Sequence, residues 1–419
     1  MKKDKSTSVK IPTALLEDGQ KFYGTDNKSE AIRKAIGEFI LLPYKQQVVD
    51  TYSLHQILPN HAERTKLTQI SLRLPEEYVL FIRKITDMPV QDAITAILAR
   101  MLDRPLTGEI FKNSKTLNIH GSKWNPQMPE AIGHILETCN RTWEISVETC
   151  AGALGIHMNH NAQLREIVEH IVINDDDLHK INLYRCIQRY PIELKLRCMS
   201  MEISRENFQS ELAKQRAAKP FSQISIENAA RYLFLNLSSY RGYGKSFHAK
   251  SIKSYMERLD NIYNFYKALT DVKIHEMDIF KNIEKYQKQS KCLFIVDPPY
   301  YMTTGYDRDV RGKAKSNTGF GYSDHEKLSK LLHRAVRNNN DLIYFCRVTS
   351  THHKDKHGVA KQSEEEMSRN DNHINGCIDD WYCRHGFYYK DIQLKNGQIE
   401  RIITSFEFEG ATPYGTEGC

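Results

Sequence analysis

The chain contains no Cys-x-x-Cys pair, and its nine cysteines, an odd number, are scattered from Cys139 to Cys419. That spacing fits neither a zinc ribbon nor a disulfide framework, so a reducing, cytoplasmic setting is expected. The nearest pair, Cys377 and Cys383, follows His352, His353 and His357. These residues match no standard ligand spacing, and no metal is expected. Also missing is any apolar run of about 18 residues, and no apolar segment follows Met1-Lys2-Lys3-Asp4-Lys5, so neither a membrane span nor secretion is expected. A strong charge of one sign is lacking too: 59 Lys and Arg stand against 52 Asp and Glu, a net charge of +7. Such a surplus permits a polyanionic partner without requiring one.

What is present is ordinary globular material. Hydrophobic residues make up 40% and charged residues 26%, which excludes wholesale disorder, and 419 residues exceed one comfortable core. Two or three domains are expected. Residues 1 to 105 hold 16 basic and 13 acidic residues and the remainder 43 and 39, so no segment is a strongly basic arm.

Residues 5 to 42 and 66 to 103 repeat one pattern: a short alternating strand, a proline, then two helices separated by a turn. In the first copy Ser6 to Pro12 is the strand, Thr13 to Tyr23 the first helix, and Lys28 to about Leu41 the second. In the second copy Thr68 to Leu74 alternates up to Pro75, Glu76 to Thr86 is helical, and Val90 to Leu102 closes the unit. Asn27, and Asp87 or Met88, stand at N-cap positions, with Pro89 suited to a first turn. The period of two puts Val9 and Ile11, and Ile70, Leu72 and Leu74, on an apolar face, opposite Ser8 and Lys10, and Gln69, Ser71 and Arg73. A lone strand needs a partner, and two antiparallel copies would form a ribbon whose polar face fits a DNA major groove.

Both segments resemble ribbon-helix-helix DNA-binding modules. The resemblance implies that Ser8, Lys10, Gln69, Ser71 and Arg73 read base edges. It also implies that Lys28 and Ser29, opening the second helix, clamp a phosphate. The other reading is a small helical accessory domain whose strand is merely an edge. Pairing within one chain or across two is left open, and with it a homodimer through the repeats. The expected organisation is repeat 1 at 1–44, a connector at 45–65, repeat 2 at 66–106 and a large domain at 107–419.

Within the large domain, the apolar run Cys292 to Val296 leads into Asp297-Pro298-Pro299-Tyr300. A buried strand ending so places a carboxylate, a rigid kink and an aromatic ring at the carboxyl edge of a sheet, where open α/β folds bind ligands. Proline carries no N–H, which leaves carbonyl acceptors for an amino group, with Asp297 and the Pro298 carbonyl drawing its hydrogens and Tyr300 stacking on a base. Trp143 to Gly155 reads as strand, glycine-bearing turn and helix, and Ile171 to Asp175 as a second strand ending in an acid about 20 residues later. The acidic run Asp175-Asp176-Asp177 can equally be the start of a helix.

The stretch from about 117 to 406 resembles the Dam-like N6-adenine DNA methyltransferases, with the cofactor loop, target recognition and Asp-Pro-Pro-Tyr in that order. The resemblance implies a Rossmann-like α/β sheet with a helical target-recognition insertion, S-adenosylmethionine as cofactor, double-stranded DNA as partner, and Asp297, Pro298, Pro299 and Tyr300 as the catalytic turn. It further implies that Gly121, Lys123, Trp124, Glu148, Ala151, Gly152, Asp175 and Asp278 hold the cofactor. Target recognition falls at 188 to 270, with Tyr240, Arg241, Tyr243 and Lys245 as DNA contacts. Arg308 to Tyr322 reads as a mobile loop or DNA clamp, and Glu400 to Phe406 as the closing strand. Where the family often has a second glycine the chain has Leu154, with Gly155 one place later, so a shifted loop register is one way to keep its N–H donors. Two other readings stay open: a DNA-binding regulator without catalysis, and a methyltransferase acting on RNA.

Overall fold

The computed structural model describes residues 5–43, 47, 67–86, 88–103, 117, 127–218, 223–248, 251–301, 320–349, 364–382, 387–395 and 397–414. Two compact units are present. One comprises Met1–Ile119, Arg185–Ala213 and Phe221–Lys267, the other His120–Tyr184, Lys214–Pro220 and Ala268–Cys419. The insertion expected inside the large domain thus falls mostly in the unit that holds the two repeats. Most of the 45–65 connector lies outside the described residues.

In the first unit the repeats take the expected form. Strand β1 (Lys5–Pro12), helices α1 (Thr13–Tyr23) and α2 (Lys28–Leu41), strand β2 (Leu67–Leu74) and helices α3 (Glu76–Thr86) and α4 (Val90–Asp103) follow in order. The two strands pair antiparallel with each other, Ser8 opposite Ser71 and Lys10 opposite Gln69. Each strand therefore finds its partner in the other copy of the same chain. Asn27 caps α2, its side chain accepting from the Glu30 N–H at 3.1 Å. Val9, Ile11, Ile70, Leu72 and Leu74 bury one face of the ribbon against Ile36, Phe39, Ile94 and Leu98.

Helix Pro191–Met199 joins the same core through Leu196. Beside it the fully buried Lys195 ammonium donates to the Leu42 carbonyl at 2.9 Å and to Asp260 at 3.0 Å. Burial lowers its pKa, and Asp260 opposes that shift.

The second unit is built on an eight-stranded sheet. Its strands are β3 (Trp143–Glu148), β4 (Val168–Asp175), β5 (Lys273–Glu276), β6 (Cys292–Val296), β7 (Asp341–Arg347), β8 (Tyr388–Gln393), β9 (Ile399–Thr404) and β10 (Thr412–Pro413). The order across the sheet is β10-β8-β9-β7-β6-β3-β4-β5. Strands β5, β4, β3, β6 and β7 are parallel, β9 runs antiparallel to β7, and β8 runs antiparallel to β9. The chain steps outward from β3 through β4 to β5 and then returns to place β6 on the other side of β3. This makes the β3/β6 edge a topological switch point, where such sheets bind ligands. Every residue of β6 is buried, as a central parallel strand covered on both faces requires.

Candidate active site

The carboxyl ends of β3, β4, β5 and β6 converge on one cavity of about 290 Å3. Thr149, Cys150 and Gly152 line it after β3, Asp175, Asp176 and Lys180 at and after β4, Met277, Asp278, Ile279 and Phe280 after β5, and Asp297 and Pro299 after β6. Phe320 and Asp324 complete the wall.

The turn after β3 is held by its neighbours. The Ala151 N–H donates to the Asn174 carbonyl at 2.8 Å, and the Gly152 N–H to Asp175 Oδ2 at 2.8 Å. The buried Tyr184 hydroxyl donates to the Gly152 carbonyl. Both N–H groups expected to face a cofactor are thus engaged inside the protein, and the buried Ala151 does not line the cavity. Gly152 (φ 51°) and Leu154 (φ 59°) both take the left-handed conformation, while Gly155 begins the helix Gly155–Ile167. Leu154 itself adopts the backbone that glycine favours, at about 1–2 kcal/mol, and its fully buried side chain offsets that cost.

The three aspartates after β4 divide their work. Asp175 is buried, and its second oxygen accepts from the Asp177 N–H at 3.0 Å. Burial raises its carboxyl above the ordinary value, with Lys180, 3.6 Å away, pulling it back. Asp177 caps the helix Leu178–Arg189, accepting from the His179 N–H at 2.9 Å. Asp176 is the exposed member, on the cavity wall. Composition alone does not separate the three; the turn geometry does.

Glu148, at the end of β3, is buried and does not line the cavity. Burial, then the negative charges of Asp297 and Asp175, push its carboxyl well above the carboxylate range. Asp278 lines the cavity and also caps the helix Ile279–Tyr286, accepting from the Phe280 N–H at 2.9 Å. Gly121, Lys123 and Trp124 lie outside the described residues, as do Cys383, His352, His353, His357 and residues 308–319 of the glycine-rich loop.

The Asp-Pro-Pro-Tyr turn is held at its tyrosine end. Asp297 and Pro299 face the cavity and Pro298 is buried. The Tyr300 hydroxyl donates to Glu400 at 3.1 Å, and the Arg347 guanidinium stands over the Tyr300 ring at 5.2 Å. Arg347 and Glu400 are directly opposite on β7 and β9 and pair at 3.8 Å. These two partners were not singled out in the sequence, because nothing local marks them. Phe280 and Phe320 stack at 5.8 Å, with Lys327 over the Phe280 ring at 4.1 Å.

In the other unit Ser8, Lys10, Gln69, Ser71 and Arg73 are exposed on the ribbon, and Gln69 donates to the Ser8 hydroxyl at 2.9 Å. Lys28 and Ser29 open α2, with the Ser29 hydroxyl 3.4 Å from the Ser71 carbonyl. Tyr240 and Tyr243 are exposed on a short loop closed by a bridge between Ser239 and Phe247. Lys245 is exposed there, and the Arg241 side chain lies outside the described residues.

Among the described residues no three His, Cys, Asp or Glu side chains stand together as a metal site, and no helix is long and apolar enough to cross a membrane. Fold and cavity define a Rossmann-like α/β protein with an acid-lined pocket at its switch point. No protein-family model matches the chain, and no curated protein matches it. Two solved structures of the rRNA methyltransferase aviRa from Streptomyces viridochromogenes are similar to it, each at 12% identity. The first has a TM-score of 0.28, covering 69% of this chain and 90% of that one. The second has a TM-score of 0.24, with 55% and 79% covered.

Proposed function

We propose that the chain is an S-adenosylmethionine-dependent methyltransferase acting on the N6 amino group of adenine in double-stranded DNA. The observation that carries this reading is Asp297 of the Asp-Pro-Pro-Tyr turn, opening at the switch point on a cavity lined by five aspartates and one lysine. That donor set fits a ligand bearing a sulfonium and an ammonium. Asp176 is the exposed carboxylate for ribose hydroxyls, and Asp278 with Phe280 lines the wall suited to an adenine ring. When bound, the cofactor supplies an electrophilic methyl group.

The chain's own residues handle the amine. Asp297 accepts one amino hydrogen, which frees the nitrogen lone pair from the ring and gives the departing proton a place to go. Tyr300, held by Glu400 and Arg347, offers the ring on which the base stacks. An adenine reaches this turn only after leaving the duplex, at roughly a few kcal/mol, and stacking offsets about 1–3 kcal/mol of that. The exposed polar ribbon favours DNA as the substrate, since a two-stranded ribbon fits the major groove.

The test is methyl transfer from labelled cofactor to duplex DNA, followed by mapping of the modified base. Transfer to adenine N6 that Asp297→Ala abolishes is expected. Absence of transfer in the wild type, or transfer untouched by Asp297→Ala, would sink the reading.

A further inference from the structure

A ribbon made by two copies of one chain is two-fold symmetric and matches a palindromic site. Here both strands belong to one chain and differ in sequence. With Ser8 opposite Ser71, a two-fold axis through that pair superposes Lys10 on Arg73, and Ser6 on Gln69. The centre and the cations thus obey the symmetry, and the third position breaks it. The strands carry no acidic residue, and Lys10, Gln69 and Arg73 are exposed, so charge and shape both suit a DNA groove.

We propose that the ribbon reads an asymmetric DNA site as a single chain, with two matched positions about a centre and one flank read by Gln69 alone. The inference rests on the DNA-substrate reading above. Arginine and lysine both pair with guanine O6 and N7, whereas glutamine pairs bidentately with adenine and serine discriminates weakly. Lys10 lies opposite Gln69, four residues from Arg73 along β2. At strand spacings the two cations stand about 14 Å apart, or roughly four base-pair steps at about 3.4 Å each. The same asymmetry extends to the phosphate clamps. Helix α2 opens with Lys28 and α4 with Val90, and the residue before Val90 is Pro89, which has no N–H to donate.

The experiment selects bound duplexes from a random library with the full chain and counts chains per duplex by native mass spectrometry. Expected are one chain per site and two guanine-containing positions about four steps apart. An adenine preference of about 5- to 150-fold on one flank only is also expected, and Gln69→Ser should remove it while leaving the centre intact. A symmetric selected site bound by two chains overturns the inference, as does a one-sided preference that Gln69→Ser leaves unchanged. Selection without any ribbon-dependent preference overturns it too. Methyl transfer by the same preparations separates the two ideas: transfer with a symmetric site sinks the asymmetry alone, and an asymmetric site without transfer sinks the catalytic reading alone.

Discussion

The Tyr300 hydroxyl donates to the Glu400 carboxylate across 3.1 Å, tying the last residue of the Asp-Pro-Pro-Tyr turn to β9, which lies beyond β7 in the sheet. The phenol sits after β6, so this bond spans a strand and sets the plane of the ring. If the bond acts only through ring position, Tyr300→Phe and Glu400→Ala should each lower the methyl-transfer kcat by about 10- to 100-fold, the value of a charge-assisted hydrogen bond read as a rate. The double variant should match Glu400→Ala, and Glu400→Gln, which still accepts, should recover part of the loss. Additive single losses would show that Glu400 acts elsewhere.

Glu148 makes a prediction about protons. Burial and its neighbours Asp297 and Asp175 hold it well above the carboxylate range, and a cationic ligand in the adjoining cavity favours its ionised form. Cofactor binding should therefore release protons, read by calorimetry in buffers of different ionisation enthalpy. Glu148→Gln should reduce that release. The linked stability has a definite sign. The unfolded chain gives up this proton at the ordinary value and the folded chain only at a higher pH, so stability falls as pH rises between the two. Glu148→Gln should flatten that fall, and an unchanged slope would count against the assignment.

At Leu154 the usual ranking of substitutions should reverse. Leu154→Ala removes burial worth about 2–5 kcal/mol and keeps the left-handed backbone. Leu154→Gly loses similar burial but relieves about 1–2 kcal/mol of backbone cost. The glycine variant should be as stable as the alanine variant or more so, by up to about 1 kcal/mol, in urea unfolding. A glycine variant clearly less stable than alanine would show that the residue is unstrained.

His157 and His325 predict acid sensitivity of the large unit. Burial lowers both to about 4 from an ordinary 6.5, against the pull of the Ala268 carbonyl on His157 and of Asp324 on His325. The unfolded chain binds these protons near pH 6.5 and the folded chain only near 4, so stability drops as pH falls through that window. The slope is about 1.4 kcal/mol per pH unit for each histidine. Replacing both with glutamine should flatten the slope of unfolding free energy against pH between 6.5 and 4; a slope that persists would place the effect elsewhere.

Local pattern was enough for much of this protein. The alternation of Val9 and Ile11, and of Ile70, Leu72 and Leu74, marked both ribbon strands, because a strand half buried on one face must alternate. The apolar run from Cys292 to Val296 and the Asp-Pro-Pro-Tyr that ends it marked the central strand and its turn, because burial on both faces and two prolines leave few other conformations. What local pattern could not supply was partnership at a distance. Whether β1 would pair with β2 of its own chain, which of Asp175, Asp176 and Asp177 would face the cavity, and that Glu400 and Arg347 would hold Tyr300 all depend on which strands become neighbours. That is set by packing the whole sheet, where residues a hundred positions apart come within hydrogen-bonding distance. Leu154 shows the same division: the sequence puts a leucine where the resembled family often has a glycine, and only the closed turn, pinned through Ala151, Gly152 and Tyr184, shows that leucine in a left-handed backbone with its side chain buried.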